Sequence, residues 1–185
     1  MSGFAELAAA TNYSFLRGAS SPADMVVRAV ALGQAGIGIA DRNTVAGVVR
    51  AHVALRHLRA EAAEAGLPPL DFRLAVGARL VFDDGTPDVV AYPAPRAGWG
   101  GLTRLLTLGN RRAAKGDCLL RLGDLIDHAD DLLLIVMAEP AGGGGALHRL
   151  AEARPGAVWL GATMPRRGAD RRRLAGLARL AEAAG

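Results

Sequence analysis

Short apolar runs alternate with longer amphipathic segments along the whole chain, and this alternation constrains the fold more than any other feature. Six runs read as strands: Phe4 to Ala10, Ile37 to Ala40, Leu74 to Phe82, Asp88 to Tyr92, Leu132 to Met137 and Ala157 to Thr163. Helical segments lie between them. Ser21-Pro22-Ala23-Asp24 supplies a serine cap, a proline at the first helical position and an acid at the third. Met25, Val26, Ala29 and Val30 continue it as an apolar stripe, and Gly33 and Gly36 end it. Thr44 is predicted to open a long helix reaching about Ala65, closed by Gly66 and Pro68-Pro69. Further helices are predicted over Trp99 to Leu108, Leu122 to Ala129 and Ala146 to Ala153, with a last one ending near Ala184. Strands interleaved with helices predict an α/β fold, a (β/α) barrel whose loops at the strand C-termini build the pocket.

A chain of 185 residues can bury a sizeable core as one domain. Hydrophobic residues make up 51% and charged residues 22%, which reads as globular rather than disordered. Leu132 to Met137 is too short to span a bilayer, and the N-terminus has no basic n-region, so no membrane partner and no secretory signal are expected. Cys118 is the only cysteine, which excludes an internal disulfide and suits the cytoplasm. The net charge of +4 admits a nucleic-acid partner. Composition alone also accounts for it: Lys115 is the only lysine, and arginine and alanine carry the chain, as in a GC-rich genome. Aromatic residues are too few for an autonomous single-strand binder.

Several groups invite a functional reading. Arg111, Arg112 and Lys115 form the densest charge cluster mid-chain, a candidate contact for a nucleic-acid backbone or a solvated loop. Arg166-Arg167 and Arg171-Arg172-Arg173 flank the start of the last helix. Asp83-Asp84-Gly85 reads as a turn rather than a working carboxylate pair. His52 and His57 fall on a solvated helix face, five residues apart, and do not converge. Gly142-Gly143-Gly144-Gly145 lacks the Gly-Lys-Ser/Thr ending of a phosphate loop and reads as a strand-to-helix connection.

The stretch Thr11-Asn12-Tyr13-Ser14-Phe15-Leu16-Arg17-Gly18-Ala19-Ser20 resembles the first motif of the PHP (polymerase and histidinol phosphatase) domain, without the His-x-His pair that precedes it in metal-binding members. Aligned on Thr11, Tyr13, Ser14 and Gly18, the two histidine positions fall on Ala8 and Ala10. Ile37 to Gly47 is similar to the second motif, with Asp41 kept and Arg42 in the histidine position. Val76-Gly77-Ala78-Arg79-Leu80 places Arg79 where relatives carry a glutamate, and a fourth alignment puts Asp88 at a later histidine position. With Leu105-Leu106-Thr107-Leu108-Gly109-Asn110-Arg111-Arg112, the wording resembles the N-terminal PHP domain of bacterial error-prone, C-family (DNA polymerase III alpha-like) DNA polymerases, from about Phe4 to the last residue.

The resemblance implies a PHP-type distorted barrel, of which residues 1–185 supply about six of seven strands, incomplete at the C-terminus with an open sheet edge. It implies a piece of a longer polymerase whose palm domain, outside this chain, holds the catalytic magnesium. It further implies DNA, the remaining polymerase domains, a sliding clamp and other mutagenesis proteins as partners. Intact members cluster histidines and carboxylates around metals that activate water for phosphoester cleavage. Here Ala8, Ala10, Arg42 and Arg79 offer no ligand, and Asp41 and Asp88 alone remain, so no metal, no catalytic residue and no cofactor are expected in this segment. The two guanidinium groups would repel a cation and are expected to pair with Asp41 or Asp88, neutralising the vestigial pocket. The leading reading is a structural segment of a translesion polymerase. A stand-alone PHP phosphoesterase and a non-catalytic basic interaction module are the alternatives.

Overall fold

The computed structural model describes residues 3–138, 142, 144–166 and 168–185. Gly143 of the glycine run and Arg167 of the Arg166-Arg167 pair lie outside the described residues. The chain forms two compact units, Met1–Arg79 and Leu80–Gly185.

The first unit is built from β1 (Ala5–Ala9), α1 (Pro22–Ala31), β2 (Gly36–Arg42), α2 (Val48–Glu64) and β3 (Arg73–Leu80). β2 pairs in parallel with both β1 and β3. Helix α1 starts where the sequence predicts it. Ser21 is extended at φ −68° and ψ 155°, and its hydroxyl oxygen accepts from Asp24 N at 3.2 Å. Val26 and Ala29 of α1, Ala51 and Leu55 of α2, and Ile37 and Ile39 of β2 form one buried cluster with Ala9 and Phe72. Full burial of each large member contributes about 1.5–3 kcal/mol, so this layer of two helices on a parallel sheet is what holds the unit together. α2 starts four residues later than Thr44 predicts. Asn43 adopts a left-handed φ of 49°, and the Thr44 hydroxyl oxygen accepts from Ala46 N at 3.2 Å, a local turn that delays the helix to a Gly47 cap.

The second unit contains β4 (Val89–Pro93), α3 (Arg96–Arg112), α4 (Leu122–Asp127), β5 (Leu132–Val136), α5 (Gly144–Ala153), β6 (Val158–Leu160) and α6 (Asp170–Ala184). Leu102, Leu105, Leu125, Leu132 and Leu134 are wholly buried. A strict (β/α) repeat would make neighbouring strands parallel. β5 and β6 are parallel, but β4 and β5 are antiparallel. Two helices, α3 and α4, separate the latter pair and return the chain in the opposite sense. α3 runs past Leu108 to Arg112, so Arg111 and Arg112 occupy its last turn rather than a loop. No helix among the described residues is long and apolar enough to cross a membrane.

Candidate functional site

The turn that follows β1 is closed by its own backbone. Ser14 N donates to Thr11 O at 2.9 Å, Gly18 N to Ser14 O at 3.0 Å and Asn12 N to Ser20 O at 2.9 Å. It lies against the end of β2, where Asp41 is 1% exposed. Both carboxyl oxygens of Asp41 are engaged. Thr11 N donates to Oδ1 at 2.7 Å, the Thr11 hydroxyl to Oδ2 at 2.8 Å and the Ser14 hydroxyl to Oδ1 at 2.6 Å. The same two hydroxyl oxygens accept in turn: Ser14 Oγ from Arg42 N at 2.9 Å, and Thr11 Oγ1 from Tyr13 N at 3.2 Å. Thr11, Ser14 and Asp41 are the buried polar residues of the chain's described core, and each is satisfied by the others.

Two glycines make this packing possible. A Cβ on Gly18 would run into the carbonyl oxygens of Thr11 and Ala10. A Cβ on Gly47 would sit 2.9 Å from Pro22 Cγ, 3.1 Å from Asp41 Oδ2 and 3.2 Å from Tyr13 Cδ2. Thr11, Tyr13, Ser14, Gly18 and Asp41 thus build one hydrogen-bonded hub, with Gly47 packed against it. Sequence reasoning used Thr11 and Ser14 only as alignment anchors. Two hydroxyl residues three apart, directly after a strand, were the signal of the hub.

The register separates the remaining predicted positions. Asp41 pairs with Ala78, and Arg42 with Arg79. Because successive strand residues face opposite sides, Asp41 lies on the side of Ile37 and Ile39, facing the helices. Arg42 and Arg79 share the other side as neighbours. Ala8 and Ala10 flank Ala9, whose methyl group belongs to the core cluster. Asp88 belongs to the second unit, ahead of β4, where its carbonyl accepts from Met137 N at 2.8 Å.

Of the two acids expected to pair with Arg42 or Arg79, Asp41 does not. The described partners of Asp41 are Thr11 and Ser14, and hydroxyl and amide donors take the place predicted for guanidinium. The donor set does not fit a metal of the kind the fold family uses. Among the described residues no three of His, Cys, Asp and Glu converge on a point. The buried carboxyl group has both oxygens committed to hydroxyl and amide donors, and arginine has no lone pair to give.

The basic cluster is divided. Arg112 pairs with Asp124 of α4, which also accepts from Arg121 N at 2.9 Å. The hydrogen bond from Arg112 holds the Asp124 carboxyl below the usual carboxylate range, against the partial burial that would raise it. The same bond raises the Arg112 guanidinium. Arg112 is therefore a tether between α3 and α4, while Arg111 and Lys115 remain exposed. The 113–121 loop leads from α3 to α4 and brings Asp124 to the end of α3. Asp84 also does more than make a turn. Partial burial would raise its carboxyl, but bonds from Thr86 and from Leu122 N hold it low. The Leu122 N–H donates at 2.8 Å, so Asp84 caps the start of α4 across 38 residues. Burial pushes the Cys118 thiol up, which leaves it a poor nucleophile.

No protein-family model matches the chain. Among curated proteins it is 49% identical over 184 residues to the error-prone DNA polymerase of Brucella abortus biovar 1 (strain 9-941), covering 97% of this chain and 16% of the relative. It is 48% identical over 187 residues to that of Rhodopseudomonas palustris (strain BisB5), covering 98% and 16%. It is 49% identical over 187 residues to error-prone DNA polymerase 1 of Rhizobium meliloti (strain 1021), again covering 98% and 16%. The chain thus spans about one sixth of the length of these relatives. Among solved structures it resembles one assigned to a metal-dependent phosphoesterase from Bifidobacterium adolescentis ATCC 15703. The TM-score is 0.60 at 16% identity, over 97% of this chain and 85% of that one, a likeness of fold alone. The fold is mixed α/β and resembles that of this phosphoesterase structure, and over almost its whole length the chain is similar to a segment of error-prone DNA polymerases.

Proposed function

We propose that this chain is a non-catalytic scaffold of an error-prone DNA polymerase acting in damage-induced mutagenesis and translesion synthesis in the cytoplasm. One observation carries the reading. The motif residues present here build the Thr11–Ser14–Asp41 hub, whereas four of the six ligand positions, Ala8, Ala10, Arg42 and Arg79, hold methyl or guanidinium groups. The geometry supports a part that shapes and braces. In this reading nucleotide addition belongs to a palm domain outside the chain, with magnesium held by that domain's carboxylates. DNA, the remaining polymerase domains, a sliding clamp and other mutagenesis proteins are the partners the reading assigns to the whole protein.

Two measurements test it. The purified chain, incubated with manganese or zinc and dialysed, is assayed for bound metal and for hydrolysis of a phosphodiester ester. Metal below stoichiometry and no turnover above blank are expected. One equivalent of metal with turnover would restore the phosphoesterase reading. Primer extension past an abasic site by the full-length protein should be lost when residues 1–185 are deleted. Undiminished extension would end the scaffold reading.

A further inference from the structure

We propose that the outer face of α6 is a docking surface for the phosphate backbone of duplex DNA. The chain's charges are not spread evenly. Residues 142–185 hold eight arginines against three acids, an excess larger than the +4 of the whole chain, whereas residues 80–141 hold six cations against nine acids. An arginine-rich composition accounts for many arginines, but not for their separation from the acids along the chain.

α6 holds three of these arginines on its exposed side. Arg172 and Arg179 are seven residues apart, close to two full turns, so they lie in one row about 10 Å long, and Arg171 stands beside Arg172. The opposite side carries the buried Leu177 and, seven residues before it in the same row, Asp170. Arg171, Arg172 and Arg179 are exposed, and their side chains make no ion pair or hydrogen bond among the described residues. Arg173 differs: it donates to Thr163 O and, at 3.3 Å, to Thr163 Oγ1, and so serves the loop after β6. Glu182 is the acid on the outer face, three residues beyond Arg179, and it leaves the arginines in excess. Exposed Ala175 and Ala178 share that face, so only methyl groups stand between the arginines and an approaching backbone. α6 contains no aromatic residue on which a base could stack, which favours a duplex backbone over a single strand. A duplex carries one negative charge per roughly 1.7 Å of its axis, so each guanidinium can take a phosphate of its own with paired N–H donors, and no convergence on one anion is required.

The inference goes beyond the scaffold reading and does not rest on it, because binding is measured on the chain by itself. A short labelled DNA duplex is titrated by anisotropy over a series of salt concentrations. The proteins are the parent chain, Arg171→Gln/Arg172→Gln/Arg179→Gln, and Arg28→Gln/Arg50→Gln/Arg56→Gln. The second triple variant removes the same charge from exposed arginines of α1 and α2. The expected result is binding weakened about tenfold or more, with the salt slope reduced by roughly 2–3, in the α6 variant, and near-parent binding in the control. Arg171→Lys/Arg172→Lys/Arg179→Lys keeps the charge and should keep most of the affinity. Circular dichroism checks the fold, and if the α6 triple variant unfolds, Arg172→Gln/Arg179→Gln decides by the same comparison. No duplex binding by the parent chain, or equal losses in the two triple variants, means a solvated helix face and overturns the inference. Polyglutamate bound as tightly as the duplex would assign the face to an acidic polypeptide and overturn it equally.

Discussion

The Ser14 hydroxyl donates to Asp41 Oδ1 at 2.6 Å across 27 residues of chain, and its oxygen then accepts from the very next residue, Arg42. One side chain thereby joins the turn after β1 to the end of β2.

Asp41→Ala should be among the most damaging substitutions in the first unit. It removes the acceptor for Thr11 N, the Thr11 hydroxyl and the Ser14 hydroxyl at once. Each orphaned buried donor costs about 1–3 kcal/mol, so a loss of roughly 3 kcal/mol or more is expected in urea unfolding. Asp41→Asn keeps one acceptor oxygen and should cost less than half as much. Equal losses for the two variants would show that volume, not hydrogen bonding, makes the site matter.

Gly47→Ala places a methyl group within 2.9 Å of Pro22 Cγ and 3.1 Å of Asp41 Oδ2. Neither neighbour can retreat easily, since one is a proline ring and the other is held by three bonds. A destabilisation of about 1–3 kcal/mol is expected from overpacking. A change below 0.5 kcal/mol would mean that the helix start yields more readily than the fold suggests.

Acid should weaken the link between α3 and α4. The Asp124 carboxyl is held below its ordinary value, first by Arg112, so its contribution to stability is complete above the unfolded carboxylate range. As the pH falls through the lower, folded value the bridge is protonated and that contribution disappears. Asp124→Asn should flatten the pH dependence of the unfolding midpoint below about pH 4, the difference between the two proteins being present at neutral pH and closing as the pH falls. An identical acid profile for both proteins would assign the pH dependence to other carboxylates.

Leu16 is 90% exposed at φ 62°, beside Phe15 at 83%. Left-handed backbone costs a residue with a Cβ about 1–2 kcal/mol, while glycine's extra freedom in the unfolded chain returns about 0.5–1 kcal/mol of that. Leu16→Gly should therefore stabilise the isolated chain slightly, by up to about 1 kcal/mol. A lower melting temperature would show that the leucine side chain makes a stabilising contact its exposure does not reveal.

Local chemistry made much of the fold legible. Ser21 and Pro22 mark the start of α1 because a cap and a fixed φ act within one turn, and Asp83-Asp84-Gly85 marks a turn because Gly85 takes a φ of 80°. Thr44 misled because a threonine can serve a local turn as readily as a helix cap, and only Asn43 before it decides which. The partner of Arg112 was not legible because Asp124 is 12 residues away.

By itself the sequence determined what each position is able to do. A methyl group at Ala8 or Ala10 cannot ligate in any fold, and the period of the apolar residues sets helix or strand because both are repeats of short range. The tertiary structure decided which groups meet: Asp41 with Thr11 and Ser14 rather than with an arginine, Arg42 beside Arg79, and β4 antiparallel to β5. Those choices rest on strand register and on the path of the chain between elements. A hydrogen bond is selected by distance in space, and separation along the sequence carries no measure of it.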